Sequence, residues 1–171
     1  MELVAERARW GRRLPAGHGL GIAVHRSFVS YVATVVEAAV GKDGTVSVPC
    51  VDMAVDYPDR IRSQMEGPAV MALSSALYGE MTFREGRALQ NNFNDFQVAR
   101  MNVAPGRLTC TSSRAMRRPV GSGNRGGPPF APALCNAILA AVGKRIRRLP
   151  IADQLRGETN LERETGHDAR G

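Results

Sequence analysis

Cysteine is scarce in this chain of 171 residues: Cys50, Cys110 and Cys135 are odd in number, far apart and without a Cys-x-x-Cys pair. Neither a disulfide framework nor a zinc or iron–sulfur site is indicated. The three read as buried thiols. Histidine is equally rare, and His18, His25 and His167 share no spacing with Asp or Glu that suggests a metal centre. No apolar run approaches the ~18 residues that a membrane span requires. The opening MELVAERARW carries acids and arginines where a secretory signal has its apolar core, so the chain as written is expected in the cytoplasm. Internal repeats are absent. Acidic residues are in deficit, 16 against 23 Lys and Arg, for a net charge of +7. Nucleic acid, an acidic membrane surface or a phosphate-bearing ligand would each suit that charge, and charge alone does not choose among them.

What is present is globular. With 43% hydrophobic and 23% charged residues the chain has the composition of one packed domain with polar ends. Leu3, Val4, Ala8 and Trp10 have helical spacing, and Gly11 supplies a stop. Leu20 to Val24, Tyr31 to Val40 and Thr45 to Val55 read as strands, the last two joined by Gly41-Lys42-Asp43-Gly44. Pro49 places its strand at an edge or at a bulge. From Pro58 the period becomes helical, with Ile61, Met65, Ala69, Ala72, Leu73, Ala76 and Leu77 on one face of the longest helix. Pro68 is out of place there, since it has no N–H for the carbonyl four residues back. A hairpin turning at Glu85-Gly86 follows, with its second strand ending near Phe93, and then a strand from Arg107 to Thr111. Pro128-Pro129 opens a helix with Phe130, Leu134, Ile138 and Val142 in a stripe, stopped by Gly143. Lys144 to Leu149 reads as a final strand. The expected fold is α+β, a curved, mostly antiparallel sheet with two main helices on one face, spanning 1–151 and followed by a loose polar tail over 152–171.

Three motifs are open to plain readings. Gly121-x-Gly123-x-x-Gly126 matches the dinucleotide fingerprint, but the preceding TSSRAMRRPV is basic and polar where that fingerprint requires a hydrophobic strand. A flexible glycine-rich loop is the simpler account. Lys144-Arg145-Ile146-Arg147-Arg148 has the cations of a nucleic-acid patch, yet Ile146 and Leu149 interrupt it at strand spacing, which suits a solvated flank after a helix C-terminus. Gln64 is by itself only a solvated or core-satisfying amide. Such an amide can also both donate to and accept from a ligand edge.

Three segments in fixed order say more: Gln64-Met65-Glu66-Gly67, NNFNDFQVARMN from Asn91, and GNRGGPPFAPALCNAILAAVGKRIRRLPI from Gly123, preceded by WGRRLPAGHGLGIAVHRSFVSYVATVVEAAV from Trp10. Together they resemble the C-terminal part of the large, molybdopterin-binding subunit of the molybdenum hydroxylases, in the xanthine dehydrogenase and aldehyde oxidase family and nearest to isoquinoline 1-oxidoreductase. The resemblance implies a subunit several times longer that oxidises N-heterocycles or aldehydes with water as the oxygen source. It also implies a molybdenum-molybdopterin dinucleotide cofactor and a small [2Fe–2S] partner subunit, and it leaves a periplasmic location open for the parent. It assigns the pterin contact to Gln64 and the floor of the site to Gly121 and Gly123. The family's Gly-x-Gly-Glu-Pro-Gly-x-Pro-Pro here reads Gly121-Ser122-Gly123-Asn124-Arg125-Gly126-Gly127-Pro128-Pro129, so Asn124 stands at the general-base glutamate. Further departures are Pro68 and the short AVDYPDRIR link from Ala54. Alone, the chain is expected to be inactive and without cofactor, either a remnant or half of a split enzyme completed by the missing part of the subunit. Met65, Leu73, Leu77, Leu134 and Ile138 are expected to be partly uncovered in such a piece.

Overall fold

Residues 1–27, 30–56, 62–113 and 125–156 are described by the computed structural model. The first turn-forming residues after Met1 make α1 (Glu2–Arg7), and three long β-branched stretches make β1 (His18–Ser27), β2 (Ser30–Val40) and β3 (Val46–Val55). Then come α2 (Arg62–Leu77), the two-residue strands β4 (Phe83–Arg84) and β5 (Arg87–Ala88), β6 (Arg107–Ser112) and α3 (Phe130–Val142).

The main sheet has the order β1-β2-β3-β6. β1 and β2 run antiparallel from His18↔Ala39 to Ser27↔Ser30, and β3 lies antiparallel to β2. β6 returns parallel to β3, from Cys50↔Arg107 to Val55↔Ser112. A parallel neighbour needs a long crossover, and α2 with the hairpin supplies it. At the β2–β3 turn Gly44 takes φ +79, and the Asp43 carboxylate accepts from the Thr45 amide at 3.1 Å and its hydroxyl at 2.6 Å. Pro49 sits at a bulge: the register shifts between Glu37 and Ala39, and β6 joins β3 only from Cys50 onward, so no ladder bond is asked of the proline. Its strand is interior, not an edge.

Alternation sorts the sheet into two faces. Val32 and Val36 of β2 with Val51, Met53 and Val55 of β3 meet α2 and α3, while Ala33, Val35 and Ala54 meet Val4 and Ala8 of α1. The mostly antiparallel sheet with two main helices on one face is therefore as expected, and α1 covers part of the other face. Phe130, Leu134 and Ile138 are fully buried, and burial of each such side chain contributes about 1.5–3 kcal/mol. Between them Ala133 and Ala137 let α3 lie on β1: a Cβ on Gly21 would come within 2.0 Å of the Ala133 carbonyl oxygen, and one on Gly19 within 2.2 Å of that of Ala137. Only glycine admits this contact.

Several expectations need correction. Val142 is exposed, because the buried stripe of α3 runs through Ala133 and Ala137 instead. Residues 144–149 form no strand; only Ile146 is buried, as a single anchor into the core. The hairpin's second strand stops at Ala88 and not near Phe93. Met65, Leu73, Leu77, Leu134 and Ile138 are all buried, since α2 and α3 cover one another and the sheet. Pro68 leaves α2 unbroken, held by Met65, Ala69 and Leu73 on its inner face. Immediately after Ile151 the chain makes a 3-10 turn, Ala152–Leu155, whose Gln154 side chain donates to the Arg148 and Pro150 carbonyls. The remainder of the polar tail, from 157, lies outside the described residues, as do Pro58 and Ile61.

Candidate functional site

The site begins at the third residue of α2, where Gln64 is exposed. Its neighbour Met65 is fully buried, and the Met65 backbone is met from far along the chain by Gly126. A Cβ at Gly126 would stand 2.8 Å from the Met65 carbonyl oxygen, so glycine is what lets the loop lie on the helix. Just before it, Arg125 is buried and its Nη1 donates to Ser30 Oγ at 2.7 Å, tying the loop to the start of β2. Just after it, Gly127 and Pro128 face Pro68, Met71 and Ala72 across a cleft of about 380 Å³. Pro129 caps α3 with φ −77, and Gly143 ends it in the left-handed conformation with φ 73.

The structure thus joins the glutamine segment and the glycine-rich segment. Asn124, Gly121 and Gly123 lie outside the described residues. Arg125 escaped sequence reasoning, although the pattern has proline in its place and an arginine there is a legible departure. The three cysteines are all thiols, but only Cys50 is buried and Cys110 and Cys135 are half-buried; desolvation pushes the Cys50 and Cys135 thiols up from their ordinary values. His18 Nδ1 lies 2.9 Å from Glu37 Oε1, within hydrogen-bond distance. Among the described residues no group of three or more His, Cys, Asp or Glu stands together as a metal site, and no helix is long and apolar enough to cross a membrane.

A mixed sheet carrying two helices on one face is a fold also found in solved oxidoreductases. Aldehyde oxidoreductase from Desulfovibrio gigas superposes with a TM-score of 0.56 at 22% identity, over 73% of this chain and 15% of that one. Quinoline 2-oxidoreductase from Pseudomonas putida 86 gives 0.54 at 15% identity, over 73% and 18%. No family model matches the chain. Among curated proteins it is 34% identical to the beta chain of isoquinoline 1-oxidoreductase from Brevundimonas diminuta over 164 residues, 89% of this chain and 20% of that one. It is 29% identical to the membrane-bound aldehyde dehydrogenase [pyrroloquinoline-quinone] of Gluconacetobacter polyoxogenes, over 91% and 22%. A nicotinate dehydrogenase chain from Pseudomonas putida is 27% identical, over 88% and 15%. The chain's homologues are large subunits of molybdenum hydroxylases, and it spans about a fifth of their length, consistent with a C-terminal part.

Against a molybdopterin group the described residues offer the exposed Gln64 amide beside a largely apolar cleft. One amide can meet one pterin edge. That is the fit of one wall of such a site.

Proposed function

We propose that this chain is a C-terminal piece of a molybdenum hydroxylase large subunit, supplying one wall of the cofactor site and inactive alone. The observation that carries the reading is the backbone contact of Gly126 with Met65, which brings two motifs of the resemblance together at a point where only glycine fits. In the complete assembly the chain would serve oxidation of an N-heterocycle or an aldehyde, beside a [2Fe–2S] subunit and without nucleic acid. Gln64 would meet the pterin edge, with Gly121 and Gly123 in the loop below it. When bound, the cofactor supplies the redox chemistry; this chain's part is to orient it and to manage a proton. At that second task Asn124 fails, because an amide has no usable basicity near pH 7 where a carboxylate would accept the proton.

A docking partner is favoured over a solitary remnant by one group of side chains. Phe83, Phe93 and Met101 are 69%, 88% and 90% exposed, and Met81, Leu89 and Val98 are exposed with them, all within the excursion between α2 and β6. Six large apolar side chains in one excursion mark an interface more readily than a solvated loop. The partner is the missing part of the subunit. The test is reconstitution with that part and turnover of an N-heterocycle or aldehyde. A general base contributes roughly 10²–10⁴ in rate, so the complex with Asn124 should be slow and Asn124→Glu should recover much of that factor. Full turnover with Asn124 in place contradicts the reading, and failure of the glutamate to rescue supports a remnant instead.

A further inference from the structure

The face of the sheet opposite α2 and α3 carries a second feature. Register sets Glu37, Cys50 and Arg107 in one cross-strand row over β2, β3 and β6, with Asp52 two residues along β3 on the same face. Glu37 and Asp52 are buried, at 8% and 4% exposure. Glu37 accepts from Arg12 Nη2 and pairs with His18, and the Arg12 Nη1 donates to the Ala8 carbonyl. Asp52 accepts from Arg107 Nη2 at 3.3 Å, the same nitrogen lying 2.8 Å from Cys50 Sγ. Two guanidiniums are thereby anchored from below with most of their donors left over. Arg7 and Arg9, at the end of α1, complete the ring: a cavity of about 300 Å³ is lined by Arg7, Ala8, Arg9, Arg12 and Arg107.

Two observations argue that this is more than a charge-balanced network. Four arginines share the site with two carboxylates, and Arg7 and Arg9 form no ion pair among the described residues, although Glu2 and Glu6 lie in α1 close by in sequence. The second is backbone conformation. The Arg9 amide bonds the Glu6 carbonyl and the Trp10 amide the Ala5 carbonyl, the paired closure of a helix end that calls for glycine in the left-handed conformation. Arg9 takes it with φ +51. A side chain is thus held in a disfavoured backbone state, beside three other guanidiniums, where glycine would fold more easily.

We propose that this arginine-lined cavity binds a phosphate or diphosphate group, with Arg7 and Arg9 supplying the unpaired donors and Arg12 and Arg107 the anchored ones. Guanidinium forks match phosphate oxygens in pairs, and the cavity has the size of a small-ligand site. The sheet separates it from Gln64 and the cleft beside α2, so it stands independently of the cofactor reading. Titration of the full chain with pyrophosphate in a calorimeter, at physiological salt and with orthophosphate in a second series, tests it. One saturable site is expected, weakened at least tenfold by Arg7→Gln and by Arg9→Gly. The glycine should not lower the melting temperature, since it suits the backbone better than arginine does. The pair Lys144→Gln and Arg145→Gln, exposed cations elsewhere, should leave affinity unchanged. No saturable binding at millimolar pyrophosphate overturns the proposal. So does binding that survives both arginine substitutions, or that falls as much with the Lys144 and Arg145 pair.

Discussion

A methyl group at Gly21 would lie 2.0 Å from the Ala133 carbonyl oxygen and 2.3 Å from the Ala137 nitrogen, distances that no side-chain rotation can relieve. Gly21→Ala must therefore push α3 off β1. Overpacking of this kind costs about 1–3 kcal/mol and more where backbone is the obstacle, so urea titration should show a loss of about 3 kcal/mol or greater, and near-unchanged stability would refute the contact. The glycines of the Gly19-Leu20-Gly21 segment were legible in the sequence as part of a pattern, but their reason was not: it lies in a helix at the far end of the chain. The same holds for Arg107, which reaches Asp52 only through the parallel register of β6 and β3. Cys50 makes a further residue-scale prediction. Burial raises its thiol pKa, so its thiolate fraction at pH 7.5 falls below that of an ordinary cysteine. Iodoacetamide should label it more slowly than a free thiol in solution, with the rate still climbing above about pH 9. Labelling as fast as the free thiol would contradict the burial.

Elements were read most reliably where local chemistry decides them. Glu85 and Gly86 both take positive φ, 51 and 75, as the tight turn of a two-residue hairpin requires, and Gly143 ends α3 as its position suggests. Sequence reasoning misjudged elements wherever packing overrules periodicity. Residues 144–149 have strand-like alternation, but among the described residues no neighbouring strand pairs with them. Pro68 has the opposite lesson, since intrinsic propensity argues for a break and burial of Met65, Ala69 and Leu73 keeps α2 continuous. A proline inside a helix costs about 3 kcal/mol, and Pro68→Ala should therefore raise stability, by about 1–3 kcal/mol if the surroundings relax only in part. A lowered melting temperature would mean that the ring's place in the cleft with Met71 and Pro128 outweighs the backbone penalty.

At the scale of the molecule the core is complete and the surface is not. α2, α3 and the inner face of the sheet share one buried core, while the excursion between α2 and β6 keeps Phe83, Phe93 and Met101 in water. Light scattering should find self-association that Phe83→Ser together with Phe93→Ser reduces; a monodisperse monomer that binds no hydrophobic dye would contradict an interface there. We propose that this much chain supplies one wall of a cofactor site, with Gln64 exposed on the helix on which Gly126 lies. We propose that the chain belongs to a larger subunit and holds no cofactor by itself. Metal analysis of the full chain, purified from a host that makes the molybdenum cofactor, tests this most directly: the account predicts negligible molybdenum, and a content near one atom per chain would contradict it.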